Sequence, residues 1–269
     1  MLGSAAFSVL ALALGAAPSA SECPDLPGAE LVLADPSKRF VIMGERHGTA
    51  EVPPLFGNLV CLAASSGPVV VGLEMQTDQQ RSLDLYMASS GSRRDQSALL
   101  AEKHWRSRDG RASEAMLQLV EYLRRLRESG RPVSVFAFMR PADTPEGREL
   151  GMALAWKDIF ASNPGARLLA LVGSVHAERE PLGGFVPAAH ALPPGQTITL
   201  GYFPSRGRGV TADVPAEFRW PRYDLWYSVG RPFTVSPPAD SFAPNSVAQS
   251  LRSPASTDCG VPKPSAFHS

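Results

Sequence analysis

The chain has 269 residues, 44% of them hydrophobic and 19% charged, with 26 basic side chains against 26 acidic ones. A formal net charge of zero argues against a protein that must neutralise many phosphates of a nucleic acid, or that is held on anionic lipid by charge alone. The apolar fraction is sufficient for a sizeable core, which argues against wholesale disorder.

Ala5 to Ala17 is an uncharged run of thirteen residues, the length of a secretory h-region and too short to span a bilayer. Pro18, Ser19, Ala20 and Ser21 follow, small residues of the kind found at a cleavage site. The expectation is a signal peptide over 1–20 and a periplasmic or secreted protein, even though Met1-Leu2-Gly3-Ser4 lacks the usual Lys or Arg. No later stretch reaches the roughly 18 consecutive apolar residues of a membrane span, so no transmembrane anchor is expected in the mature chain. An oxidising compartment lets two of the three cysteines pair. A helix over 53–65 gathers Leu55, Phe56, Leu59, Val60, Leu62 and Ala63 on one face and leaves Cys61 opposite, open to Cys23 or Cys259.

From 39 to 176 short apolar runs alternate with longer periodic ones, the pattern of βα units around a parallel sheet. The spacing predicts strands over 39–43, 69–74, 132–138 and 167–172. Helices are predicted over 53–65, 77–87, 113–129 and 148–163. Thr77 with Gln80 reads as a capping box, and Gly130 followed by Pro132 as a stop after the third helix. From Pro181 on, the last 89 residues hold 14 of the 25 prolines. Proline cannot donate to a sheet ladder, so the strand-like pieces at 197–203 and 223–230 read as edge strands and loops on the βα core. The expected organisation is a single α/β domain over 21–235, a mainly parallel central sheet flanked by helices with a Pro-rich C-terminal extension of short strands and loops, and a Pro/Ser-rich tail over 236–269.

Open parallel sheets bind ligands beyond the carboxyl ends of their strands. There the first strand runs into Gly44-Glu45-Arg46-His47-Gly48-Thr49, the second into Gly72-Leu73-Glu74-Met75, and the fourth into Gly173-Ser174-Val175-His176-Ala177. Glu45, His47, Glu74 and His176 are thus the candidate catalytic residues. An imidazole can take a proton from water while a carboxylate fixes its tautomer, and of two carboxylates crowded together one can be held protonated as an acid. The same four also suit a divalent metal such as zinc or manganese, and the spacing does not choose between these. Arg108, Asp109 and Arg111 around Gly110, and Arg148 at the start of the fourth helix, are candidates for binding a substrate anion.

These motifs, with Glu51, and with Trp105 ahead of Arg108-Asp109-Gly110-Arg111, resemble the superfamily containing erythromycin esterases, the ChaN haem-binding proteins and the Tiki/TraB proteins. The resemblance covers roughly 39–180. A single residue, Arg46, separates Glu45 from His47, as in the ChaN-like branch. The resemblance implies an α/β fold with a polar pocket around the Glu-x-His and Gly-x-x-His elements, and it adds Arg46, Glu51 and Trp105 to the substrate-binding candidates. Tiki-like members imply metal-dependent hydrolysis. ChaN-like members imply haem, held by an axial His and a Tyr; no specific tyrosine aligns with that ligand, since Tyr202, Tyr223 and Tyr227 lie where the resemblance fades, and Tyr223-Asp224-Leu225-Trp226 reads as a packed strand. Two expectations result. One is an exported hydrolase acting on a small molecule or peptide, with His47 as the water-activating base, Glu45 orienting it, Glu74 a second acid or ligand, and His176 an electrophilic partner or ligand. The other is a periplasmic haem- or metal-binding protein without turnover.

Overall fold

The computed structural model describes residues 22–181, 183–203, 225–228 and 231–234. The expected signal peptide, the tail from 236 with Cys259, and Tyr223 lie outside the described residues. In chain order the elements are α1 (Ala29–Leu33), β1 (Phe40–Glu45), α2 (Val52–Ala64), β2 (Val69–Gln76), α3 (Gln80–Met87), α4 (Arg93–Leu100), α5 (Glu114–Glu128), β3 (Val133–Met139), α6 (Pro145–Ser162), β4 (Arg167–Gly173), β5 (Thr197–Phe203), β6 (Leu225–Ser228) and β7 (Arg231–Thr234). They form one α/β fold around a seven-stranded sheet of order β3-β2-β4-β1-β5-β6-β7. Every neighbouring pair is parallel except β6 with β7.

The strands β1 to β4 are buried along nearly their whole length, as sheets covered on both faces must be. Alternate residues feed two cores. Val41, Met43, Val71, Leu73, Leu169 and Leu171 pack with α1 to α5 on one side. Phe40, Ile42, Val70, Ala170 and Val172 pack on the other against Met152 and Trp156 of α6 and Ala188, Ala189 and Leu192 of the segment after β4. Among the described residues no helix is long and apolar enough to cross a membrane.

Several local expectations change. The Thr77–Gln80 capping box does not form, and 77–79 is a separate 3-10 turn. Gln80 is drawn instead to the neighbouring strand, where its Nε2 donates to Val135 O at 3.1 Å and its Oε1 accepts from Ala137 N at 2.6 Å. A complete capping box appears at Ser92 and Asp95, heading α4. The segment 197–203 is not an edge: β5 lies between β1 and β6, in parallel register with both. Proline-rich flanks did not prevent this, because none of the prolines falls within Thr197–Phe203 itself. Cys61 is covered as the helical wheel suggested, through a disulfide to Cys23.

What positions the site is the order of β2, β4 and β1. The chain leaves a gap when it passes from β1 to β2, and β4 later fills it. The C-terminal ends of three adjacent strands therefore meet, with Glu45 opposite Gly173 and Leu73 opposite Leu171. Along β3 the register of β2 slips between Leu73 and Gln76, which pair with Ala137 and Met139. That spans three steps on one strand and two on the other, so β2 carries a bulge at Glu74–Met75, a device that re-aims a side chain at a strand end.

Candidate active site

Glu45 and Glu74 end β1 and β2, His47 follows β1, and His176 lies in the 3-10 turn Ser174–Ala177 after β4. Their side chains meet. His47 Nδ1 is 2.9 Å from Glu45 Oε1, and its Nε2 is 3.5 Å from Glu74 Oε2. On the other flank, His176 Nε2 is 4.0 Å from Glu74 Oε1. The backbone amide of Gly173 donates to Glu74 Oε2 at 2.7 Å. Glu74 is thus the centre of the group, with one imidazole against each oxygen.

The fifth member was not anticipated. Glu149 of α6 is buried, and both its oxygens lie 2.8 Å from His176 Nδ1. Its Oε2 also accepts the Ala188 amide at 3.0 Å. A signal was present in the sequence, since Glu149 shares the buried stripe of α6 with Met152, Ala153 and Trp156, and a lone carboxylate on an apolar stripe requires a partner. Arg148 is exposed and reaches Glu149 Oε1 only at 3.9 Å.

Arg111 closes the group. Its Nη1 is 3.4 Å from Glu74 Oε1, while Nε donates to Asp109 Oδ2 at 2.9 Å and Nη2 pairs with the same oxygen. The turn carrying it rests on the first motif. Gly110 has φ of 88°, and a Cβ there would stand 2.5 Å from the carbonyl carbon of His47, so only glycine permits this approach. Glu74, His104, Arg111, Arg148 and the start of α6 line a cavity of about 700 Å³ beside the group. Arg46, Glu51, Trp105 and Arg108 do not line it. Glu51 stands at the N-cap of α2, Trp105 packs on the core edge-on to His104, and Arg108 is exposed.

The charges follow from these contacts. Burial works against a charged His47, yet hydrogen bonds to Glu45 and Glu74 outweigh it and hold the imidazolium up to about 10. Burial likewise opposes the Glu74 carboxylate, but the His47 hydrogen bond, the neighbouring His176 and the Gly173 amide pull it down to about 2. Glu45 is moved the other way, because burial raises its carboxyl against the pull of His47. At neutral pH the resting pair is therefore His47 imidazolium with Glu74 carboxylate. In that state His47 has a proton to give and no free lone pair to take one.

The residues do not suit a metal. Among the described residues no group of three or more His, Cys, Asp and Glu side chains is spaced to hold one, and the Arg111 guanidinium already sits against the Glu74 oxygen such an ion would need. Of the tyrosines, Tyr202 is buried in the core on the α1 to α5 face and the side chain of Tyr227 lies outside the described residues, while the cavity is walled by Gln76, Asp78, Lys103, Arg140 and Asp143 together with Met139, Pro141, Ala142 and Pro145.

No family model and no curated protein matches the sequence. Solved structures do. A type III effector, HopBA1, aligns over 66% of this chain and 83% of its own at 14% identity and a TM-score of 0.46, and a Bacillus cereus protein over 66% and 72% at 12% identity and a TM-score of 0.40. A mutant of the erythromycin esterase EreC in its open conformation aligns over 65% of this chain and 72% of its own, at 11% identity and a TM-score of 0.53. What the chain shares with that esterase is its α/β fold.

Proposed function

We propose that the chain is an exported hydrolase of the erythromycin esterase, ChaN and Tiki type, in which Glu45, His47, Glu74 and His176 activate water by proton transfer. One observation carries this reading: two imidazoles, each with Nδ1 held by a carboxylate, turn Nε2 toward the single carboxylate of Glu74. An acid and a base on either side of one carboxylate, Glu74, which itself lines the cavity, are a pairing that hydrolysis of a carbonyl compound can use.

His176 Nε2 takes a proton from water as the water oxygen bonds to the carbonyl carbon. His47 gives its Nε2 proton to the leaving group as the bond to that group breaks. Glu74, between the two rings, then passes the proton from His176 back to His47 and restores the resting state. Arg111 offers a fixed cation to the negative charge that develops on the carbonyl oxygen. Export agrees with the Cys23–Cys61 disulfide, a bond that persists in oxidising compartments.

The experiment is a panel of p-nitrophenyl esters and chromogenic peptides, run on the wild type and on His47→Gln, Glu74→Gln and His176→Gln. Turnover that falls by roughly 10²-fold or more in each variant is expected. Turnover unchanged in all three removes the proposal.

A further inference from the structure

A carboxylate can only accept hydrogen bonds. With both Glu149 oxygens 2.8 Å from His176 Nδ1, that nitrogen must carry a hydrogen, and any proton His176 gains or loses is at Nε2. Nε2 lies 4.0 Å from Glu74 Oε1, beyond hydrogen-bond length, and so stays uncommitted. His47 differs, because its Nε2 stands closer to Glu74, at 3.5 Å. Glu149 reaches His176 from a different layer of the fold: it comes from α6, whose other buried residues, Met152, Ala153, Ala155 and Trp156, are apolar. It is held there by the Ala188 amide at 3.0 Å, with the Arg148 guanidinium 3.9 Å from its other oxygen.

We propose that Glu149 is a positioning residue that locks His176 in its Nδ1–H form, so that Nε2 is presented toward Glu74 as the proton acceptor. Its part in catalysis rests on the hydrolase reading above, while the lock itself does not. The proton path stays balanced: water loses a proton, His176 Nε2 gains it, and Glu149 remains a carboxylate throughout. The arrangement mirrors Glu45 and His47 across Glu74, with the second carboxylate supplied by a helix instead of a strand.

The test begins with nitrogen NMR of the imidazoles in the wild type from about pH 5 to 8, His176 being assigned by comparison with His176→Gln. Nδ1 is expected to carry the hydrogen of the neutral ring, with Nε2 bearing the lone pair. A neutral ring protonated on Nε2 overturns the proposal, and this holds even where the Glu149 variants do not fold. Glu149→Gln keeps an acceptor for Ala188 but removes the charge. It is expected to yield a mixture of tautomers and, with p-nitrophenyl acetate, a kcat lower by roughly 10²-fold at little change in KM, partly recovered in Glu149→Asp. Unchanged tautomer and unchanged kcat in Glu149→Gln overturn it as well. A locked Nδ1–H with no turnover of any substrate would leave the lock standing and remove the hydrolase reading, whereas turnover with an Nε2–H tautomer would remove the lock alone.

Discussion

His47 Nε2 faces Glu74 Oε2 across 3.5 Å, and each partner keeps the other charged. The consequence for stability has two limbs. His47 is held protonated up to about 10 against an ordinary 6.5, so its contribution is full below about 6.5 and is lost as pH rises through about 10. Glu74 is held ionised down to about 2 against an ordinary 4.5, so its contribution is full above about 4.5 and is lost as pH falls through about 2. Denaturant midpoints measured against pH should therefore decline on the alkaline side in the wild type. In His47→Gln that decline should be smaller by at least about 1.4 kcal/mol, the worth of one pKa unit. Parallel curves for the two proteins would show that the pair is not coupled to folding.

Gly173 is where a single methyl group would act on both histidines. A Cβ there would lie 2.9 Å from His47 Nε2 and 3.3 Å from His176 Cδ2. Its backbone angles, φ −58° and ψ 143°, are ordinary, so alanine is tolerated by the chain and resisted only by the imidazoles. Gly173→Ala is expected to fold with a circular dichroism spectrum like that of the wild type and to lose roughly 10²-fold or more in kcat, because a misplacement of about 1 Å is enough for that. Full activity in this variant would mean that the rings are not packed as described.

The four strand-end residues were legible because each sits directly after a short apolar run, and their meeting follows from the parallel topology. The order β2-β4-β1 was not legible, since hydrophobic patterning reports which face is buried and not which strand is a neighbour. Glu149 was missed for a different reason: it joins the site from α6, and a search along strand ends never visits a helix face. The Thr77–Gln80 motif failed because a side chain that suits a cap also suits the unpaired backbone of an adjacent strand, and the tertiary partner prevailed. Trp105 and Glu51 belong to the motif pattern, yet one packs on the core and the other stands at a helix N-cap.

Cys23 and Cys61 are joined across 38 residues, fastening the segment before α1 to the back of α2. A loop of that length stabilises the fold by about 2–4 kcal/mol through the unfolded chain. Cys61→Ala, or reduction by dithiothreitol, is expected to lower the thermal midpoint by several degrees. Activity below the transition should persist, because neither cysteine lines the cavity. A midpoint insensitive to reductant would argue against the bond in the mature protein.

Arg111 gives the sharpest separation between binding and chemistry. Burial works against the Asp109 carboxylate, but the Arg111 guanidinium holds it well below the usual range, and Asp109 in turn fixes the guanidinium beside Glu74. A cation fixed in place before the reaction needs no reorganisation when negative charge appears on a substrate oxygen. Arg111→Gln is expected to lower kcat by about 10²-fold with KM nearly unchanged. Arg111→Lys keeps the charge without the planar fork that grips Asp109, and should fall between the two. Steady-state kinetics on a p-nitrophenyl ester decide the matter: a rise in KM at constant kcat would assign Arg111 to ground-state binding of the substrate, and no change in either would make it a structural brace for Asp109.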